Sequence, residues 1–502
     1  MHPLAQLDQK FVWHPFTQMR DWLRREPIVI ASGQGAVLRD VKGREFLDAN
    51  SSIWTNLHGH QHPKINAAIQ RQLKKISHSS ALGLANEPAS LLAEKLVRIS
   101  NFKFQTANKT PGMTRPLNSQ FAIRKSQLSK VFFSDDGSTA LEVALKLAYQ
   151  YSWRIRSAAC PPALMKKYPP RFLSLDGAYH GDTIGAVSLG HIDLFHQAYD
   201  GMLFKTDKVM SPYCYRCAFN RAQPERADAR TYRKCNWECV SLVEKKFSVQ
   251  KKKGNPYAAF VFEPLMQGAA GMIPQPDGWL GRVTDIARSH GALLIADEVM
   301  TGFGRTGAHS LKPTAHSPAS LFACQQENVQ PDFLCLAKGL TGGYLPMAAT
   351  LTTQRVFDAF LGEYEEFKTF FHGHSFTGNQ LGAAAALASL DILQTEKSER
   401  QRAQLQEQLH AELQTLWKLT HVGDIRQVGL VAGIELVKDW RTRAPFALRE
   451  RAGIRVCEAM ARRGVLTRPV GNVIVLMPPY CTTPAQLQKM VAALAAAVAE
   501  GF

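Results

Sequence analysis

The stretch ALLIADEVMTGFGRTG, Ala292 to Gly307, and the later PDFLCLAKGLTGGYLP, Pro331 to Pro346, decide how the rest of the chain is read. In the first, the apolar run Ala292 to Ala296 ends in Asp297 and Glu298. A short continuous apolar run closed by polar residues reads as a parallel strand covered on both faces, here with two acids at its carboxyl end. In the second, Phe333 to Ala337 ends in Lys338, followed by Gly339, Gly342 and Gly343. Lysines left to solvent usually sit among other polar residues. Lys338 has an uncharged, glycine-rich setting instead.

An acid and a lysine at the tips of two buried strands suit pyridoxal phosphate. That cofactor needs a lysine for its Schiff base and a carboxylate that keeps the ring nitrogen protonated. Two other motifs in the stretch fail their context. Gly302, Gly304 and Gly307 spell GxGxxG after a strand, but AHSLKPTAHSPAS follows where a dinucleotide fold opens a helix. LLIADE resembles the acidic strand of a nucleotide hydrolase, yet the chain contains no GxxxxGK[ST].

Working outward, 502 residues suffice for a large α/β unit with additions. Hydrophobic residues at 45% and charged ones at 20% describe an ordinary globular composition. No apolar run approaches the ~20 residues of a membrane span, and MHPLAQLDQKFVWHPF lacks a secretory pattern. Nine cysteines, an odd count without an export pattern, predict reduced thiols and a cytoplasmic setting. The net charge of +18 raises the question of nucleic acid. Part of it is local: Asn101 to Lys130 holds Lys103, Lys109, Arg115, Arg124, Lys125 and Lys130 without one acid. Aromatics are not interleaved with the basic residues as a stacking platform needs, so a solvated basic surface is expected.

Val131 to Tyr151 predicts a strand, a turn and a helix whose face carries Leu141, Ala144, Leu145, Ala148 and Tyr149. Gly137 and Ser138 fall at the helix start, where free N–H groups suit a phosphate; capping by Asp136 or Ser138 explains them equally well. RFLSLDGAYHGDT is a strand whose exit carries Tyr179, His180 and Asp182, and AAFVFEPLMQGAAG one ending in Glu263. Strands alternating with helices through Leu390 predict a mostly parallel sheet with its ligand site at the strands' carboxyl ends. Ile28 to Asn50 alternates like short antiparallel strands with a turn at Val41 to Gly43. His58, His60 and His62 in a Gly/Pro loop read as turn and cap residues before a helix near Pro63 rather than a metal cluster. The aromatic FVWHPFTQM, Phe11 to Met19, is expected to pack onto the body of the protein. Glu396 to Leu416 reads as a polar helix opening a smaller C-terminal unit.

Assembled, the chain resembles the class III pyridoxal phosphate aminotransferases over nearly its whole length. DDGSTALEVALKLA, AYHGDT, FEPLMQGAAG, LLIADEVMTGFGRTG, LAKGLTGGYLP and FTGNQLGAAAAL match in order and spacing. WHPFTQM, the HGH segment, FFHGHSFTGN and LTRPVGNVIVLMPPY look most like members that aminate 8-amino-7-oxononanoate in biotin synthesis. The resemblance implies a fold type I transferase. Residues 71–392 would form a large cofactor domain, with a basic insertion near 101–130 and a cysteine-containing excursion near 211–250. Residues 1–70 and 393–502 would make a small α+β domain. Lys338 would carry the cofactor and move a proton, Asp297 would pair with its ring nitrogen, and Tyr179 would stack on the ring, with Asp182 supporting that loop. Gly137 and Ser138 would take the phosphate, joined by Ser375 and the backbone of His374 from the neighbouring subunit of a homodimer. Arg468 would take the substrate carboxylate, where a guanidinium fork suits it, and Gly373 would line the channel. The chain departs at Phe16, a tyrosine in many members, and at Ile53-Trp54, where a tryptophan pair is usual. Both lie on the side of the amino donor, S-adenosylmethionine in some relatives and lysine in others.

Cys214, Cys217, Cys235 and Cys239 give C-x2-C-x17-C-x3-C, a zinc-knuckle spacing, against a default of four reduced thiols and no metal. Alternatives are a class III enzyme acting on an ω-amino acid or ornithine, and a basic zinc-knuckle protein binding nucleic acid on this scaffold.

Overall fold

The computed structural model describes residues 1–101, 127–157, 168–307 and 320–502. Nearly all of the basic segment Asn101 to Lys130 lies outside them.

Seven strands form the central sheet, in the order Leu128–Ser134, Ala348–Thr353, Phe333–Leu336, Leu293–Asp297, Tyr257–Phe262, Arg171–Leu175, Asp207–Val209. Ala348–Thr353 is antiparallel to both neighbours; the other pairings are parallel. The strands Tyr257–Phe262, Leu293–Asp297, Phe333–Leu336 and Ala348–Thr353 are buried at every residue. Two clusters show why the runs are continuously apolar. Leu294, Ala296, Leu334 and Phe260 face one core, while Leu293, Ile295, Phe333 and Val261 face the other. The second core is covered by Gly137–Ser157 through Leu141, Ala144, Leu145 and Ala148. Tyr149, expected on that face, is exposed and stacks on Trp153.

A second sheet joins distant parts of the chain. Ile30–Gln34, Val37–Asp40 and Glu45–Asp48 form an antiparallel run, and Val465–Leu466 adds in parallel, with Leu466 beside Asp48. A third sheet pairs Val422–Val428, Val431–Asp439, Val473–Leu476 and Pro469–Val470. The polar helix Glu396–Gln414 packs through Leu405, Leu409 and Leu413, a narrow stripe at four-residue spacing. No helix among the described residues is long and apolar enough to cross a membrane.

One expectation fails within the single chain. Phe11 and Trp13 do not pack inward, Trp13 being 87% exposed, and Phe16 is also exposed and meets the body only edge-on at Phe195. The helix Pro3–Phe11 buries only Ala5 and is tied down by polar bonds, such as Trp22 Nε1 to Asp8 at 3.0 Å. Such bonds hold the helix in place while the Phe11 ring at its end points outward.

Candidate active site

Alternation decides where the two acids after Ile295 go. Asp297, still on the strand, meets His180, whose Nδ1 lies 2.8 Å from Asp297 Oδ2, both side chains buried. Val299 N donates to Asp297 Oδ1 at 3.0 Å. Glu298 points elsewhere and accepts from the backbone of Ala323 and Cys324 at 2.7 and 2.8 Å. Burial drives the Glu298 carboxyl up to about 7, against the pull of those two N–H groups. Glu263, after its own strand, is likewise pushed up to about 7 by burial, with Asp297 adding repulsion and His180 opposing. It accepts from Tyr179 N at 3.3 Å and Gly268 N at 2.8 Å.

Lys338 follows Phe333–Leu336 and adopts a left-handed backbone, φ 42°. Burial lowers its amine below the ordinary lysine range, while Asp297 and Glu263 pull the other way. Its Nζ lies 4.6 Å from the centre of the Trp54 ring. Gly343, at φ 85°, lets the backbone of Asn56 close in; a Cβ there would come within 2.8 Å of Asn56 Cα. Arg305, from the glycine stretch set aside above, is almost fully buried. It donates to Asn56 O at 3.0 Å and Pro478 O at 2.8 Å, holding two distant segments against the body.

The turn carrying Trp54 is strained. Ser51, Ser52, Ile53 and Trp54 have φ of 46°, 48°, 64° and 67°, a left-handed helical turn without a glycine. Each such residue costs roughly 1–2 kcal/mol, and β-branched Ile53 is the least suited. Backbone bonds close it, Trp54 N to Asn50 O and Thr55 N to Ser51 O, both 2.9 Å.

Tyr179 O–H donates to Asp182 Oδ2 at 2.7 Å, and burial with that carboxylate raises the phenol well above its usual range. Asp182 N donates to Ser138 Oγ at 3.2 Å, and Gly181 at φ 121° permits this approach, since any Cβ would strike Ser138. This ties the Tyr179 loop to the N-terminus of Gly137–Ser157. Phe16 lies edge-on to Phe195 at 5.3 Å, and Phe195 edge-on to Tyr179 at 6.3 Å, so Phe16 adjoins the Tyr179 side. Ile53 is exposed beside Trp54. His374 Nδ1 lies 3.2 Å from Asp135, just before Gly137, whereas Gly373 and Ser375 are exposed. Arg468 is exposed and makes no ion pair among the described residues. Val470, two residues on, packs on the Met-rich cluster behind Trp54.

The four excursion cysteines line one small pocket with Arg233 and Trp237. All are free thiols, and among the described residues no group of three or more His, Cys, Asp or Glu is arranged to hold a metal.

The residues fit pyridoxal phosphate. A desolvated amine, a buried carboxylate bonded to an imidazole whose Nε2 has no partner among the described residues, and the opening of a long helix all sit at the carboxyl ends of parallel strands. Sequence reasoning assigned no role to His180, Glu263, Asp48 or Arg305. Only the first two had a signal, their place at strand exits.

The aminotransferase class-III family model matches residues 19–498. The adenosylmethionine-8-amino-7-oxononanoate aminotransferase of Geobacter sulfurreducens is 43% identical over 97% of this chain and 95% of its own. Its counterpart from Methanocaldococcus jannaschii is 40% identical over 99% and 98%. The crystal structure of that enzyme from M. jannaschii superposes with a TM-score of 0.81 at 38% identity, covering 99% of both chains. The omega transaminase of Pseudomonas jessenii in complex with PMP gives 0.82 at 26%, over 100% and 98%. By that family model and by relatives of 40% identity or more over nearly its whole length, this chain belongs to the class-III aminotransferases, enzymes that work with pyridoxal phosphate.

Proposed function

We propose that the chain aminates 8-amino-7-oxononanoate to 7,8-diaminononanoate, a step of biotin synthesis, as a cytoplasmic homodimer. The observation that carries this is the shared name of relatives 37–45% identical over nearly the full chain. The site agrees with it. Pyridoxal phosphate, when bound, supplies an electron sink for the carbon that gains or loses the amino group. Lys338 Nζ, its affinity for protons lowered by burial, takes and returns the proton at that carbon. Asp297 holds the positive charge at the ring nitrogen and is itself oriented by His180. Gly137 and Ser138 take the phosphate at the helix N-terminus, with the partner subunit's His374 and Ser375 completing it. Tyr179, its hydroxyl held by Asp182, would stack on the ring of the bound cofactor. The exposed Phe11, Trp13, Phe371 and Phe376 suit a subunit interface more than water. Residues 1–70 and 393–502 act as one small domain around a body of 71–392, a division supported by the sheet that Glu45–Asp48 and Val465–Leu466 share.

Arg468 grips the acceptor's carboxylate, and the donor is S-adenosylmethionine or lysine, with Phe16, Ile53 and Trp54 on the donor side and Gly373 along the channel. Arg468→Ala should weaken the acceptor half-reaction about ten- to a hundredfold, the worth of one charge-assisted pair. Single-turnover spectra with each donor and with the keto acid test this. An enzyme that accepts ω-amino acids and ignores 8-amino-7-oxononanoate would replace this reading with the omega-transaminase one.

A further inference from the structure

We infer that Asp48 is a positioning residue for transamination: its carboxylate fastens the left-handed turn Ser51–Trp54 and so holds the Trp54 indole against the Lys338 amine. This rests on Lys338 being the reacting amine, as in the reading above.

The carboxylate is almost entirely buried, and it spends its acceptors on the turn. Oδ1 accepts from Ser52 N at 2.9 Å and Asn50 N at 3.4 Å. Oδ2 accepts from Ser52 Oγ at 2.8 Å, with His60 Nε2 at 3.1 Å. A buried carboxylate is expensive unless hydrogen-bonded, and strained non-glycine residues persist only where their surroundings over-determine them. Here the expensive group and the strained turn explain each other. Two further bonds lock the same turn: Ser51 Oγ donates to Met477 O at 2.6 Å, and Trp54 Nε1 donates to Asn50 Oδ1 at 2.8 Å.

The packing behind Trp54 cannot do this work. Trp54 packs against a cluster made of Met266, Met272, Met300 and Met477 with Val431 and Val475. Methionine side chains adapt to the shape beside them and define a ring position poorly. Orientation must then come from the backbone. Glycine would adopt the left-handed turn at no steric cost but could also leave it; Ser52 and Ile53 restrict the alternatives once the clamp is closed. The product of the arrangement is a rigid indole 4.6 Å from the amine that must take and return a proton.

Asp48→Asn keeps the shape but turns one acceptor oxygen into a donor facing Ser52 and His60. Its test uses the dimeric enzyme, with and without cofactor, and takes the Trp54 signal as the difference from Trp54→Phe in the same background. Expected in cofactor-free protein is greater quenching of Trp54 by acrylamide. In loaded protein, energy transfer from Trp54 to the cofactor falls, and kcat drops about tenfold or more, the scale of a small misplacement of reacting groups. The covalent link at Lys338 still forms, by absorbance. Lower thermal stability with unchanged Trp54 emission and unchanged kcat overturns the proposal. Should Asp48→Asn not fold, Ser52→Ala removes a single donor from the clamp, and unchanged Trp54 emission and kcat in that variant overturn it equally. Because the quenching is read without cofactor, its outcome stands apart from the assignment of Lys338.

Discussion

Two buried charged clusters lie in this molecule, and they are built on opposite plans. Around Arg426, 1% exposed, each guanidinium nitrogen has an acceptor, although burial pushes the Asp424 carboxyl beside it up to about 7 and Asp424 Oδ1 has no partner among the described residues. Asp424 and Glu435 pair with it, the Tyr213 hydroxyl oxygen accepts at 2.8 Å, and the carbonyls of Met272 and Gly271 accept at 3.0 and 2.7 Å. Arg216 reinforces Glu435 from outside. Around Lys338 the answers are incomplete. Its amine has lost affinity for protons, Glu263 stands near 7, and His180 Nε2 has no partner among the described residues. The first cluster sits in the sheet Val422–Val428 and Val431–Asp439, away from strand tips; the second sits at the tips. A buried cation answered at every nitrogen holds its surroundings in place, while an amine left without such partners is poised to bind and exchange protons.

The comparison breaks most sharply at Lys338. Lys338→Ala should lower turnover by roughly a thousandfold or more, since proton transfer alone is worth about 10²–10⁴. The thermal midpoint of the cofactor-free protein should stay within a few degrees, checked by calorimetry beside steady-state rates. Turnover within tenfold of wild type would dissolve the contrast.

Arg426→Met should do the reverse. It strands Asp424 in the interior and leaves Glu435 with Arg216 as its remaining cation, and breaking a buried pair from one side costs about 3–5 kcal/mol. Denaturant titration should show that loss, while the folded fraction keeps near-normal kcat. A large fall in kcat without loss of stability would make Arg426 part of the reacting site.

The smallest effect lies at Glu298, which shares its strand end with Asp297 but belongs to the structural side. Its folded-state pKa, about 7, stands above the ordinary 4.5. The unfolded chain therefore gives up this proton first as pH rises. Stability contributed by the protonated carboxyl is full below about 4.5 and is lost on rising through 7, by up to about 3 kcal/mol. The stability gap between wild type and Glu298→Gln should shrink from pH 5 to pH 8. A gap constant with pH would mean that Glu298 is charged throughout.

What the sequence makes legible follows from the same physics. Leu293–Asp297 and Phe333–Leu336 announce themselves because strands covered on both faces have no polar alternation, so Asp297 and Lys338 stand out at their ends. Asp48 does not stand out. It closes EFLD much as Asp40 closes VLRD, and only the fold gives one a strained turn to clamp and the other a tight turn at Arg44. Arg305 was hidden inside a glycine pattern, because its partners, Asn56 and Pro478, lie far off in the chain. Arg426 was equally silent: Asp424 stands two residues away on the same strand, but Glu435 is brought to it by strand pairing. The aromatic N-terminus misled for the opposite reason: composition says that Phe11, Trp13 and Phe16 want burial, but not whether their own chain supplies it.

The pairing of Leu466 with Asp48 also sets a timetable for the cell. At 5–20 residues per second, a ribosome needs roughly 20–85 s to make the ~420 residues between them. Throughout that interval the strand Glu45–Asp48 lacks its parallel neighbour, and the carbonyl of Met477 that anchors Ser51 has not been made. The catalytic pocket is thus among the last places to assemble in a nascent chain. A polypeptide released early carries the lysine and the acid but no finished wall around them, a built-in check that only the completed product works.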